Sequence, residues 1–531
     1  MYKSVKSQSL LEQGAWLFVA KIIGFAFSFF LPLLVVRYLS QDSVGLYRQS
    51  FQVISNAVVI LPIGFSMSAY YFLARETARR SAAILNILIF NFIAGGVACA
   101  ALNLWPQSVG QIFQSEEMTR LVPIIGFVIW TWIFSTFLET VAIANQETRA
   151  ATLFIVGASF SKTVLMAGAV LIFATVEAFL YAAIIQGLIQ TLILLYYLNS
   201  RFPGFWQSFD RAFFREQMVY AIPFGLTGIL WIAQTDIHSY FVAHKFSDAE
   251  FAIYALGCFE LPLLAMLAES VNSVLIPRMN ELQSVGDREG IFRLTARAMQ
   301  KLSFIYFPVY VFLLITAHTF IVTLFTESYA ASASIFVINL TLLPFNILIT
   351  DPIVRSFKEL GKLFLLTRVL ILTCLTMVLY FGLENFGLIG MITASVSALL
   401  IEKCIALAMV IRKLGVGWQH LPLVKNVATT AALSGFAGII TYIIYANGKE
   451  FIFGLGHGFV RDAFATTSSG IANFAGGTLV LLVCGAVFTP IYLLAANFCG
   501  VIEDEEKAAV RDLLSRIVPR KSGQPLTDNQ T

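Results

Sequence analysis

Charge is what this chain has least of. Asp, Glu, Lys and Arg together make up 12% of its 531 residues, while 58% are hydrophobic. A soluble globular chain carries about 25% charged residues. No polar stretch is long enough to form a soluble domain between the apolar ones. Histidine is sparse, at five residues. The six cysteines (Cys99, Cys258, Cys374, Cys404, Cys484 and Cys499) lie in or at the ends of apolar segments without metal-ligand spacing, and read as small apolar packing residues. A phosphate-binding loop is also missing. Gly454-Leu-Gly-His-Gly458 follows no strand and reads as a flexible connection. The chain therefore carries no motif for ATP hydrolysis, and no cofactor is expected beyond a coupling Na⁺ or H⁺. No nucleic-acid partner is expected.

Long apolar runs fill the space that charge leaves. About 20 apolar residues cross a bilayer core as a helix. Fourteen such runs are expected to span, at 14–36, 49–73, 82–104, 121–143, 151–173, 178–198, 217–243, 251–276, 302–324, 332–354, 363–383, 386–410, 425–446 and 474–499. The first has no small-residue cleavage site behind a short apolar core, so it reads as a retained helix and not as a signal peptide. Arg288, Arg293, Arg297 and Lys301 alternate with Ile291, Phe292 and Leu294, as in a basic amphipathic helix on an anionic membrane surface. A second helix outside the bilayer is expected near 503–517, opened by Glu503, Asp504, Glu505 and Glu506 and closed by Arg511 and Arg516, which suits the helix dipole.

The basic residues fix an orientation. With the N-terminus in the cytoplasm, 25 Lys and Arg fall in cytoplasmic segments and 6 in outer loops. Lys21, Lys162, Arg368 and Lys403 lie inside spans. This is a strong positive-inside bias, and it puts both termini in the cytoplasm.

An internal repeat orders the spans. Ser40-Gln-Asp-Ser-Val-Gly-Leu-Tyr47 follows the first and Ser247-Asp-Ala-Glu-Phe-Ala-Ile-Tyr254 follows the seventh. Glu139 and Glu147 are echoed at a similar offset by Asp351 and Glu359. The fold class is therefore an all-α polytopic membrane protein with two pseudo-symmetric six-helix lobes, 1–200 and 201–416. Two further helices (417–500) and a cytoplasmic amphipathic tail (501–531) complete it. Parallel repeats of this kind enclose a site near the membrane midplane and alternate its access.

Lys21-Ile-Ile-Gly24, Arg37-Tyr-Leu-Ser-Gln-Asp-Ser-Val-Gly45-Leu-Tyr47, Leu61-Pro-Ile-Gly64 leading to Ala74-Arg75, and Phe386-Gly-Leu-Ile-Gly-Met391 carry a family resemblance. In this order they resemble the multidrug/oligosaccharidyl-lipid/polysaccharide exporter superfamily, in its O-antigen-type flippase branch. The resemblance implies two lobes in a V around a cavity lined mainly by spans 1, 2, 7 and 8. It implies a polyprenyl-diphosphate-linked sugar as cargo, moved from the inner to the outer leaflet of the bacterial cytoplasmic membrane during O-antigen, lipopolysaccharide or related cell-envelope synthesis. Glycosyltransferases and a polysaccharide polymerase would be its partners. Related murein-precursor flippases carry a basic residue in span 1, where this chain has Lys21, but their further cavity arginines have no clear counterpart here. The alternatives are a drug/cation antiporter of the same superfamily and a polyprenyl-dependent glycosyltransferase or polymerase. An enzyme would need acids and sugar-phosphate binders on outer loops. The longest of those loops, near 447–473, holds only Lys449, Glu450, His457, Arg461 and Asp462 among such groups, so no enzyme is expected.

An ionisable group in a span costs about 2.5–3.5 kcal/mol at the centre by insertion scales, and so needs a partner, water or a function. Lys21 sits about two turns into span 1, on a face that continues through Gly24 and Ser28 to Pro32. It is the candidate for the diphosphate. Gln49, Gln52 and Asn56 share one face of span 2 and suit sugar hydroxyls. Lys162, the most central charge, and Arg368 complete the cargo candidates. Asp236, Glu139, Glu260, Glu269 and Asp351 are the candidates for ion coupling or gating. Thr393 and Ser395 could add oxygens to an ion site, as the resemblance implies. Glu260 and Glu269 are expected on opposite faces of one helix, with Glu269 as the partner of Lys21, and Glu402 with Lys403 as a local charge pair.

The orientation predicts labelling. Cysteines placed in 278–301 and 411–424 should react with impermeant thiol reagents only after the membrane is opened. Labelling in intact cells would overturn the orientation.

Overall fold

Uninterrupted apolar runs dictate helices here, since a backbone in lipid must satisfy its own hydrogen bonds. The computed structural model describes residues 10–463, 469–502 and 507. Among these, the regular elements are α-helices and short 3-10 turns, with no strand. The expected tail helix near 503–517 lies outside the described residues.

Eight helices form the first part of the chain: α1 (Leu10–Tyr38), α2 (Gln41–Ile60), α3 (Ser68–Arg75), α4 (Arg80–Leu104), α5 (Pro106–Phe113), α6 (Glu116–Ala144), α7 (Thr148–Phe173) and α8 (Val176–Arg201). The next eight are α9 (Arg211–Lys245), α10 (Asp248–Gly257), α11 (Pro262–Ser284), α12 (Arg288–Phe325), α13 (Ser332–Leu340), α14 (Asp351–Ser356), α15 (Lys358–Gly382) and α16 (Gly387–Leu414). The last two are α17 (Lys425–Ala463) and α18 (Ser469–Phe498).

The count of fourteen spans is not reached. Eleven helices are long and apolar enough to cross a membrane, or twelve if α10 and α11, bent by 49° at their break, make one span. The other two segments are interrupted. Span 2 divides into α2 and α3 at Leu61-Pro62-Ile63-Gly64, where Ile63 and Gly64 take left-handed φ of 46° and 71°. Span 10 divides into α13, a 3-10 turn at Pro344–Ile347, and α14. Proline opens or follows each break: Pro62, Pro262, Pro344 and Pro352.

Two further expectations change. The basic amphipathic stretch and span 9 are one helix, the 38-residue α12, because nothing between them breaks the backbone pattern. Gly454-Leu-Gly-His-Gly458 is helical within α17, and His457 stacks on Phe453 at 6.1 Å. Of the six cysteines, Cys99 and Cys484 are buried, Cys258 is half-buried, and Cys374, Cys404 and Cys499 are exposed.

The two similar phrases begin helices with matching caps. Ser40 caps α2 with φ −65° and ψ 161°, its hydroxyl accepting from the Ser43 N–H. Ser247 caps α10 with φ −63° and ψ 161°, accepting from the Glu250 N–H. These matching starts bring α2 and α10 against each other. A Cβ on Gly45 would run into the backbone carbonyl of Asp248, and Gln49 Nε2 donates to Asp248 Oδ1 at 2.9 Å. A second close approach lies at the break in span 2. A Cβ on Gly64 would come within 2.9 Å of the Ala221 carbonyl and of the Gly225 amide in α9.

The described residues form two compact units. One comprises those of Met1–Pro277, Ala317–Phe345 and Thr350–Val410. Its largest buried aromatics include Phe65, Phe72, Phe137 and Phe213, contributed by the turn before α3 and by α3, α6 and α9. Beside them, buried Asn86 donates to Gln217 Oε1 at 2.9 Å. Lipid tails are as apolar as these rings, so fit and internal hydrogen bonds hold the packing rather than expulsion of water. The other unit comprises the described residues of Arg278–Thr316, Asn346–Ile349 and Ile411–Thr531. In it Phe304 and Phe312 pack on Ala437, Phe488 and Tyr492, and the Tyr492 hydroxyl donates to the Phe304 carbonyl at 2.9 Å.

The α2–α10 crossing generates a prediction. Gly45→Ala should lower thermal stability in detergent by about 1–3 kcal/mol or more, the range for overpacking. Gly157→Ala, at a site with nothing within 4 Å, should not. Equal stability of the two variants would mean that the crossing yields freely.

Candidate functional site

Three polar constellations lie inside the membrane-spanning part of the first unit. The first gathers α1, α6 and α11. Lys21 Nζ lies 3.6 Å from Glu269 Oε1, with side chains 39% and 71% exposed. Glu139 is within electrostatic reach of both, and of Tyr70 on α3. Two acids and one base therefore converge from three helices. The accessibility of the ion pair leaves the lysine free to exchange its carboxylate for another anion.

The second constellation joins α2 to α9 and the α10–α11 break. Asn56 Nδ2 donates to the Tyr240 hydroxyl at 3.1 Å. Asp236 lies beside the side chains of Asn56 and Thr235 and within electrostatic reach of Glu260. Glu260 sits in the non-helical segment between Cys258 and Leu261. The expectation that Glu260 and Glu269 occupy opposite faces of one helix therefore fails, because the helix is broken between them. They still serve different neighbours: Glu260 faces Asp236, and Glu269 faces Lys21. Close by, Tyr254 and His238 Nδ1 share a hydrogen bond of 2.7 Å. Oxygens at Asp236, Thr235, Asn56 and Glu260 are the donor types a hard cation takes. Among the described residues no group of three or more His, Cys, Asp or Glu is placed to hold a metal ion.

The third constellation is closed. Arg368 on α15 bonds Glu402 Oε1 on α16 through Nε at 3.2 Å and Nη2 at 2.8 Å. The two side chains are 15% and 7% exposed. Gln234 of α9 donates to the other carboxylate oxygen. The guanidinium also lies over Trp231 and Phe364, at 5.2 and 4.8 Å from their ring centres. The expected local pair of Glu402 with Lys403 is thus corrected: adjacent helical residues point in different directions, and Glu402 turns to Arg368. A cation so fully engaged is a strut between helices before it is a binding group.

The remaining candidates separate. Gln49 is fully buried at the α2–α10 crossing, so the polar face of span 2 is shared between a structural contact and Asn56. Gln52 lies between them, half-buried. Asp351 opens α14 and pairs with Arg355 at 2.8 Å, on an exposed edge. Thr393 is exposed and donates to its own helix, to the Ile389 carbonyl at 2.7 Å; Ser395 is buried.

Lys162 leads to residues that the sequence reading missed. Its ammonium lies over the Trp132 ring, 4.6 Å from the centroid. Both line a cavity of about 260 Å³, with Ser28, Ser135, Thr136, Glu139, Gln186 and Gln190 among its walls. The signal for the two glutamines was present: they stand four residues apart in an otherwise apolar span, on one face of α8.

Comparison with known proteins follows the same lines. A family model described as polysaccharide biosynthesis protein matches residues 53–334. A search of curated protein sequences returns no match. The fold is similar to that of the lipid II flippase MurJ in an inward closed conformation, at a TM-score of 0.61 and 14% identity, over 90% of this chain and 98% of that one. It is also similar to a multidrug resistance MATE family transporter of the MOP superfamily in an inward-facing conformation, with a TM-score of 0.60 and 15% identity over 74% of this chain and 94% of that one. A MOP superfamily transporter from Pyrococcus furiosus gives 0.56 and 16%, over 78% and 99%.

The strut yields a test. Glu402→Leu alone should destabilise by about 3–5 kcal/mol, because it strands a buried charge. Glu402→Leu with Arg368→Met should recover most of that loss in thermal unfolding. A double variant that is stable but cannot bind cargo would instead return Arg368 to the binding groups.

Proposed function

Because the chain belongs to the polysaccharide biosynthesis protein family, within the MOP exporter superfamily, we propose that it is a flippase for a polyprenyl-diphosphate-linked oligosaccharide. The cargo is the repeat unit of an O-antigen or related cell-envelope polysaccharide, moved from the inner to the outer leaflet of the bacterial cytoplasmic membrane. Both termini lie in the cytoplasm. Glycosyltransferases make the cargo and a polymerase consumes it.

The observation that carries this reading is Lys21. A lysine inside a span, paired with a carboxylate through an accessible contact of 3.6 Å, suits a cargo whose invariant feature is a diphosphate. The diphosphate would displace Glu269 from the ammonium. A drug/cation antiporter would instead place a free carboxylate at the cargo contact.

Movement against a gradient needs an energy source. We assign coupling to Asp236, which shares its site with Asn56, Thr235 and Glu260 and would take Na⁺ or H⁺. An ion can shift access only by its difference in affinity between the two states.

One proteoliposome experiment addresses both roles. Wild-type protein should move a fluorescent polyprenyl-diphosphate oligosaccharide across the bilayer, faster under an imposed Na⁺ or H⁺ gradient. Lys21→Ala should cut flipping about tenfold or more, the loss of one charge-assisted contact; Lys21→Arg should keep part of it. Asp236→Asn should lose the gradient response and still bind cargo. Transport of a cationic drug without flipping of the lipid-linked sugar would replace this reading with the antiporter.

A further inference from the structure

The Lys162 cavity has a wall chemistry that the flippase reading does not use. Among the described residues no carboxylate pairs with Lys162, and its partner is the face of Trp132. The indole is itself held, since Nε1 donates to the Ala183 carbonyl at 3.0 Å. Gln186 and Gln190 are 4% and 8% exposed. Both line the cavity, and neither makes a hydrogen bond to protein among the described residues. Neither is among the buried side-chain groups left without a partner, so their amide atoms are open to the cavity, where water or a ligand can bond them.

The remaining walls sharpen its class. Ser135 and Thr136 donate their hydroxyl protons back into α6, to the Trp132 and Ile133 carbonyls at 3.1 Å each. Their lone pairs stay available to accept. The two glutamines offer amide donors and carbonyl acceptors. A ligand must therefore bring several hydroxyl donors. A negative charge on the ligand would suit the half-buried ammonium, which has no paired carboxylate among the described residues. Glu139, in the same cavity, lies within reach of Lys21 and Glu269 instead. The size sets a limit as well. Ligand pockets run about 300–1,000 Å³, and this one, at about 260 Å³, admits a single ring. Ser28 links it to the helix face that carries Lys21.

We infer that the cavity between α1, α6, α7 and α8 binds one acidic sugar residue of the cargo, its carboxylate on Lys162 and its hydroxyls on Gln186, Gln190, Ser135 and Thr136. This rests on the flippase reading and narrows it to repeat units that contain a sugar acid. The lysine and the amides then act as a selectivity site, separate from the diphosphate contact at Lys21.

The test uses the purified full-length chain and two probes of equal size, methyl glucuronide and methyl glucoside. Binding is read from tryptophan fluorescence, with Trp132→Phe identifying the local signal. The wild type should bind the glucuronide about tenfold or more tightly than the glucoside. Lys162→Gln should abolish that preference and Lys162→Arg should keep it. Gln186→Leu with Gln190→Leu should weaken both probes. Equal binding of the two probes by the wild type, or a preference that survives Lys162→Gln, would overturn the inference. Inorganic phosphate binding as tightly as the glucuronide would reduce the cavity to a bare anion site and also overturn it. Flipping of neutral and acidic lipid-linked sugars by the same preparation separates the two readings. Flipping without acid preference removes the acidic-sugar site alone, whereas no flipping of either removes the function.

Discussion

Two close backbone approaches join α2 and the turn after it to α9 and α10, and both depend on a missing side chain. At Gly45, α2 lies directly on the carbonyl of Asp248. At Gly64, the turn that interrupts span 2 lies on α9 beside Gly225. In lipid no expulsion of water favours helix association, so contact distance decides how well helices pack. These approaches set the position of α2, and with it Asn56 against Tyr240 and Asp236. Both glycines lie in the phrases that carry the family resemblance. Those phrases describe how α2 meets α9 and α10 and say little about cargo.

The intramembrane charges separate by how their neighbours treat them. Arg368 is enclosed by Glu402 and two aromatic rings. Lys21 holds its carboxylate loosely and in the open. Lys162 has an indole and, among the described residues, no paired acid. The three sites thus grade from satisfied, through exchangeable, to unsatisfied, and only the last two leave room for a ligand. Desolvation makes this ranking matter more in the membrane than at a surface, where exposed ion pairs contribute about 0–1 kcal/mol.

Much of the fold was legible in the sequence because helices in lipid have one dominant signal, a long apolar run. The matching starts of α2 and α10 were legible too, since Ser40 and Ser247 head similar phrases and cap with nearly the same dihedral angles. Breaks were harder to read. Pro62 with Gly64 marks one plainly, but Pro308 and Pro490 lie inside helices that continue. Whether a proline interrupts a span depends on what its neighbours supply to the freed carbonyl, which is a tertiary fact. Side-chain direction was the least legible. Glu402 beside Lys403 looks like a pair along the chain, yet only the packing of α15 against α16 reveals that Arg368 takes the carboxylate. Lys162 could be placed at its depth, but not over Trp132.

The seam at Gly45 also says which kinds of change the chain can tolerate. Each residue of a helix turns the next by about 100°, and the cap at Ser40 sets where that count begins. Removing one residue between Ser40 and Gly45 would carry the glycine a quarter-turn or more away from Asp248 and bring a side chain into its place. Polar-for-polar exchange at exposed Asp42 would leave the count intact. For this segment spacing is a stricter constraint than identity. Short insertions and deletions, more than substitutions, should therefore be missing from functional variants of the Ser40–Gly45 stretch.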